Sequence, residues 1–293
     1  MTTRRIRTLG YLYVFLLLSS VCFAQTPDIF RVEYMIMPKN NSDAELSRIK
    51  LLANVPLSVK DSDNVVIGGE YNRLAYDLQR DLPFSSEGLK QFHIVDLNMA
   101  YVHRYNQYWR FIGVITPRLA STLNNPLENG DFSVNATIGA FKEKKNSDKP
   151  TRLILGIAYN STVALRIPLP IVYFEKRFSQ NWSYVIGVPK MAMKYQFAER
   201  HMLQTEFILD GYYVNLQNNI LLPNTITASS VSSSAALVTF GYQIKLAQDM
   251  FAYGYMGHTL IQDGVLRDND RNDIFTLNNN PSFYFRTGFR IGL

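Results

Sequence analysis

The chain has 293 residues, a formal net charge of +6 and one cysteine. Arg4, Arg5 and Arg7 supply half of that charge, and the mild remainder gives no reason to expect a nucleic-acid partner. Cys22 is the only thiol, so disulfides, zinc–cysteine sites and a cysteine nucleophile are excluded from everything after it.

Three arginines, an apolar run from Leu9 through Phe23 and a small-residue cleavage point after Ala24 read as an export signal. Residues 1–24 are therefore predicted to be a removed signal peptide, and residues 25–293 one β-barrel unit. A lipoprotein reading of Cys22 is disfavoured by Val21 before it. No later apolar run approaches the roughly 20 residues of a spanning helix, whereas strands of about 9 to 11 residues with their connections would number about 12 to 14.

In chain order the predicted strands are Ile29 to Met37, Ser47 to Val59, Val65 to Asp77, Phe92 to His103, Tyr108 to Ser121, Phe132 to Lys142, Thr151 to Val163 and Leu169 to Phe178. They continue as Trp182 to Val188, Met191 to Phe197, His201 to Leu216, Ala235 to Ala247, Met250 to Gln262 and Ser282 to Leu293. Ile49, Leu51, Ala53, Val55, Leu57 and Val59 oppose Arg48, Lys50, Asn54 and Ser58, a period of two that suits lipid on one face and water on the other. The pattern recurs at Leu203 to Tyr213, Ala236 to Leu246 and Phe283 to Leu293. It is less clean at Val65 to Tyr76 and Tyr108 to Ile115.

Connections alternate between short polar ones (KDSDN, RYNQ, EKKNSDKP, SQN, AERH, QD) and longer ones, among them a predicted loop from Gln217 to Ser234. This is the usual asymmetry of short periplasmic turns and long external loops. Aromatic residues near strand ends, including Tyr105, Tyr108, Trp109, Phe178, Trp182, Tyr212 and Tyr213, suit interfacial girdles. The fold class expected is all-β, a transmembrane antiparallel up-and-down barrel with an even strand number. A soluble secreted β-sandwich, with the apolar faces packed on each other, is the alternative.

The closing segment from Arg286 to Leu293 resembles the C-terminal assembly signal of bacterial outer-membrane barrels, with Arg286, Gly288, Ile291 and Leu293 at the matching positions. Leu293 and Ile291 depart from it, since aromatic residues are commoner at both. Together with the export signal and the segment NWSYVIGVPKMAMKYQFAERHMLQTEFILDGYYVNL, it resembles an uncharacterised family of outer-membrane β-barrel proteins from Bacteroidota. That resemblance implies a Gram-negative outer-membrane location, with membrane lipid and the barrel assembly machinery as partners, and it brings no catalytic or binding residues.

Chemistry is sparse. His93, His103, His201 and His258 lack metal-pair spacing, and there is no phosphate loop or hydrolase elbow. A rim hydrolase would need His201 or His258 to meet one of Ser229, Ser230, Ser232, Ser233 or Ser234. DNDRND, Asp268 to Asp273, is rich in oxygen ligands but lacks the glycine and distal glutamate of a calcium loop. No catalytic residue, cofactor or metal is expected.

The inward polar positions are the functional candidates: Arg48, Lys50, Asp96, Asn98, Glu206, Asp210, Lys245, Arg286 and Arg290. They could line a water-filled passage or pair across it as a polar plug. The expected function is a passive channel or transporter for small solutes or apolar molecules. The alternative is a closed barrel acting as a structural or surface-binding scaffold through its long external loops.

Overall fold

The computed structural model describes residues 28–60, 62–144, 148–160, 168–223 and 225–292. The strands are β1 (Asp28–Met37), β2 (Ala44–Lys60), β3 (Asp63–Leu78), β4 (Gln91–Arg104), β5 (Trp109–Ser121), β6 (Phe132–Lys144), β7 (Thr151–Tyr159) and β8 (Leu169–Arg177). They continue as β9 (Trp182–Val188), β10 (Lys190–Ala198), β11 (His201–Leu221), β12 (Thr227–Ala247), β13 (Met250–Arg267), β14 (Asp273–Asn278) and β15 (Phe283–Gly292). Among the described residues, the only helical pieces are single turns at Glu87–Leu89 and Asn129–Asp131.

Each strand from β1 to β13 pairs antiparallel with the next, and β15 lies between β13 and β1, which closes the sheet and removes its edges. The lower part of β13, Met250 to His258, pairs with β15, and its upper part, Gly264 to Arg267, pairs with β14. β14 and β15 are thus two lengths of one stave interrupted at residues 279–282. The result is a closed transmembrane antiparallel barrel of fourteen staves.

The expected alternation sets the wall. On β15, Phe283 and Phe285 face outward while Tyr284 is buried inside, and on β4 exposed Val95, Leu97 and Met99 alternate with buried Ile94, Asp96 and Asn98. An exposed apolar band of this kind suits acyl chains. At the rim made by the short polar turns, Trp182 lies 4.6 Å from Tyr195 and Phe197 lies 5.5 Å from His201, ring centre to ring centre, so aromatic rings collect at a level fit for headgroups.

Several sequence expectations are corrected. Gln217 to Ser234 is no loop: β11 runs through it to Leu221 and β12 from Thr227, because their ladder continues above the bilayer-spanning band. Tyr212 is no girdle residue, since it faces inward and is buried. The strand predicted as Thr151 to Val163 ends at Tyr159, and residues 161–167 lie outside the described ones, as do the predicted signal, residues 1–24, and Leu293.

Stave lengths are unequal. β11 and β12 have 21 residues each, while β7, β8 and β10 have 9 and β9 has 7. Above the short staves β5 meets β11 directly, through a single parallel bridge between Ser121 and Asn215.

Candidate functional site

The lumen changes character along its axis. Toward the long-connection rim the inward positions are apolar: Met35 and Met37 on β1, Leu74 and Tyr76 on β3, Phe92 and Ile94 on β4, Val214 and Leu216 on β11, and Leu237 on β12 form one buried cluster. Phe92 and Tyr212, from opposite walls, bring their rings to 6.3 Å. Leu89, from the connection between β3 and β4, and Leu277 of β14 complete this plug from above. Burial of side chains from facing walls makes it a dry core, like that of a β-sandwich.

Below the plug the same alternation delivers charge. Arg48 donates to Asp210 at 3.2 Å and approaches Glu33 at 3.7 Å, while Arg286 donates to Glu206 at 2.8 Å. Glu206, 1% exposed, also pairs with Lys190 and accepts from Gln204, and the Tyr253 hydroxyl donates to Glu33 at 2.8 Å. An isolated charge in such surroundings would be costly, and each of these has a partner from another strand. Lys50 pairs with Glu70 at 2.8 Å, Arg118 forks onto Asp96 with both bonds at 2.6 Å, and Thr116 donates to Asn98 at 2.9 Å.

Two inward glycines let large rings lie against the wall. A Cβ at Gly241 would sit 2.0 Å from the Tyr255 ring, and one at Gly288 would sit 2.6 Å from the Tyr253 hydroxyl. Gly288 thus has a packing role beyond its place in the closing-strand pattern, while Ile291 packs on β15 against Met250 and Phe30 of its neighbours' registers.

Toward the short-turn rim the lumen opens into a basin. A cavity of about 320 Å³ at the rim is bordered by Arg177, Lys194, Arg200, Lys245 and Arg290, and it shares Lys194, Gln243 and Arg290 with a deeper cavity of about 180 Å³ that reaches Glu206 and Arg286. Lys194 pairs with Glu175, and Arg290 donates to Asp28 at 3.1 Å.

All nine polar positions named from the sequence therefore project inward, but they fall into separate groups. Arg48, Glu206, Asp210 and Arg286 belong to the cross-lumen network; Lys50, Asp96 and Asn98 are paired on the wall of β2 to β5; Lys245 and Arg290 border the basin. The sequence reading missed Glu33, Lys190 and Tyr253. Alternation of Arg31 and Glu33 against Val32 and Tyr34 signalled the first, whereas Lys190 follows the Val188–Pro189 break between two short strands.

The other candidates stay apart. His201 pairs in register with Ile244 and Ser233 with Tyr212, so that histidine and the serine-rich stretch lie at opposite ends of β11 and β12. His258 packs edge-on to Phe283 on the outer face. Asp268 accepts the backbone N–H of Asp270 and Asn272 and the side chain of Asn272, which hold its carboxyl below the usual range in a self-contained turn. Among the described residues no group of three His, Cys, Asp or Glu side chains is placed to hold a metal.

The seam between β5 and β11 is closed by polar side chains. Asp131, 1% exposed, accepts Asn215 and Gln217 side-chain amides at 2.9 Å each and the Glu128 N–H at 2.8 Å. Burial pushes this carboxyl up, and the hydrogen bonds outweigh it and hold it below the usual carboxylate range. Gln217 in turn accepts the Asn125 N–H at 2.9 Å, tying the connection between β5 and β6 to β11.

A family model described as "Domain of unknown function (DUF6268)" matches residues 36–292. A comparison with curated proteins finds no match. Among solved structures, the chain is similar to the KdgM porin at 8% identity, covering 90% of this chain and 99% of that one with a TM-score of 0.35. It is similar to LpxR from Salmonella typhimurium at 6% identity, covering 90% and 100% with a TM-score of 0.37. It is also similar to the COG4313 outer membrane channel from Pseudomonas putida F1 at 9% identity, covering 94% and 98% with a TM-score of 0.40. Likeness at this level carries nothing about activity.

Proposed function

For this chain, which belongs to the DUF6268 family, we propose the function of an outer-membrane channel for small solutes that rests closed, with the apolar plug as its barrier and the charged basin as its vestibule. One observation carries the reading: the lumen is a polar, ion-lined space open at one rim and shut at the other by the apolar plug, over which β5 and β11 meet through one backbone bridge and a few side-chain hydrogen bonds. β5 stays laddered to β4 and β11 to β12, so the seam can part without breaking a neighbouring ladder. Elements with few ladder bonds are where local opening is expected. Opening also separates apolar surface, so the open state is the minor one at rest and is visited intermittently.

The reading includes residence in the outer membrane of a Gram-negative cell, export by residues 1–24, and insertion through recognition of the closing strand. It is supported by the apolar exterior, and it assigns no catalysis. A permanently closed scaffold is the second reading, favoured by the continuity of the dry plug across both walls.

Ser121→Cys with Asn215→Cys tests the gate, because paired strands stand about 4.8 Å apart, within the span a disulfide bridges. The chain after residue 24 has no other thiol. In planar bilayers the reduced protein should open intermittently and the oxidised protein should stay silent. Silence of folded protein in both states would leave the scaffold reading, and equal conductance in both would exclude the seam as gate.

A further inference from the structure

The basin's cations outnumber its acids, and some have no partner. Lys194 and Arg290 are neutralised by Glu175 and Asp28. Arg177, Arg200 and Lys245, which border the same cavity, have no ion pair or side-chain hydrogen bond among the described residues. Glu199 is the one carboxylate of that cavity left without an ion pair among them. The Lys245 backbone N–H donates to the Arg200 carbonyl at 2.7 Å, so these two cations are held side by side across the β11–β12 ladder, and Arg177 at the end of β8 borders the cavity from elsewhere on the wall. A structural ion-pair network would close on itself, as the deeper one around Glu206 does. Three unpaired cations around one cavity, Arg177 and Arg200 exposed at its mouth and Lys245 half-buried, face the single unpaired carboxylate Glu199, and that excess describes a receptor for negative charge.

We propose that this basin binds small multivalent oxyanions entering from the short-turn rim. Arg177 and Lys245 make the primary contacts, with Arg200 as a third. The cavity, about 320 Å³, matches the small end of ligand sites, about 300–1,000 Å³. Guanidinium and ammonium groups both recognise phosphate and carboxylate oxygens through charge-assisted hydrogen bonds. The paired carboxylates Glu175 and Asp28 fix Lys194 and Arg290 in place and set the back of the site at a level where a ligand replaces water and not a protein partner. The inference names the solute class of the proposed channel and rests on that reading for a route across the membrane, though binding itself does not require one.

The test is calorimetric titration of detergent-extracted, folded protein with pyrophosphate and, separately, citrate at neutral pH, with the polycation spermidine as a control. Wild-type protein should bind either anion or both, more weakly as salt is raised, and not spermidine. The pair Arg177→Gln and Lys245→Gln should weaken binding at least tenfold, while Lys39→Gln on the opposite rim should leave it unchanged. Among the described residues these cations have no partner, so the paired variant should keep its heat-dependent gel shift. Absence of heat for both anions up to about 10 mM, or unchanged affinity in the paired variant, overturns the site. A barrel that binds anions but never conducts keeps the site and loses the channel; one that conducts and binds neither anion loses the site alone.

Discussion

Phe92→Ala is the most direct probe of the dry plug. Phe92 is 0% exposed on the inner face of β4 and meets Tyr212 from the opposite wall. Returning its ring to water costs about 2–3 kcal/mol. An unrelaxed hole of roughly 70 Å³ adds ~1.7 kcal/mol at about 24 cal/mol per Å³, so the variant should lose about 4 kcal/mol. The neighbouring outward residue Val95, 41% exposed, is the control: Val95→Ala removes lipid contact only and should cost under about 1 kcal/mol. Urea titration of lipid-reconstituted protein, read by the fraction of heat-shifted band, measures both. If the upper lumen were wet, Phe92 would already touch water and the two variants would unfold at similar urea concentrations. That outcome, or a loss under about 1 kcal/mol for Phe92→Ala, would refute a dry core.

Arg286→Gln leaves Glu206 and Glu33 short of a cation and should destabilise the barrel by about 3–5 kcal/mol, much of it recovered when Glu206→Gln is added; equal loss in the single and double variants would deny the coupling. Ile138, 66% exposed at the middle of β6, should tolerate Val but lose about 2–4 kcal/mol as Ile138→Arg in lipid, with little effect if that face met water. The Asp131 carboxyl is depressed by its hydrogen bonds, so the stability it adds to the seam is fully present above the unfolded value of about 3.9 and is lost as pH falls through its lower folded value. NMR signals of the Gln217 side-chain amide should therefore hold from pH 7 to about 4 and shift only below, whereas Asp131→Asn should shift them at every pH.

The wall was legible because lipid outside and polar groups inside impose opposite chemistry on alternate residues, as at residues 47–59 and 235–247. Gln217 to Ser234 reads as a loop because Asn- and Ser-rich composition signals turns, yet its serines are buried in the ladder between β11 and β13: Ser230 and Ser232 are 1% and 8% exposed and stand in register opposite Arg267 and Val265, and Ser232 accepts from the Arg267 guanidinium at 2.7 Å. The stretch Val65 to Tyr76 alternates poorly for a reason visible only in the closed barrel: its upper inward positions, Leu74 and Tyr76, line the plug and are apolar, while the outward positions beside them include Arg73 and Asp77, so the polarity of the two faces reverses along the strand. Inward direction followed from a period of two, but partnership did not. Arg48 finds Asp210 across 162 residues of sequence, a contact set by closure and by the register of every intervening strand.

Unequal staves explain why plug and basin occupy opposite ends. Strands of 7 to 9 residues, β7 to β10, barely span a bilayer, which takes about 9 to 11. β11 and β12, at 21 residues, therefore stand well clear of it on the long-connection side. The inner face of that projecting part carries Val214, Leu216, Val231 and Leu237, which water would penalise, so the tall walls fold onto each other and β11 reaches β5 over the short staves. Below, where all fourteen staves hold the walls apart, the inner face is polar, with ion pairs spanning the lumen beneath the plug and an open basin at the rim. The barrier is then a property of strand length as much as of side chains: lengthening β7 to β10 would hold β5 and β11 apart and leave the apolar inner faces of both without a partner.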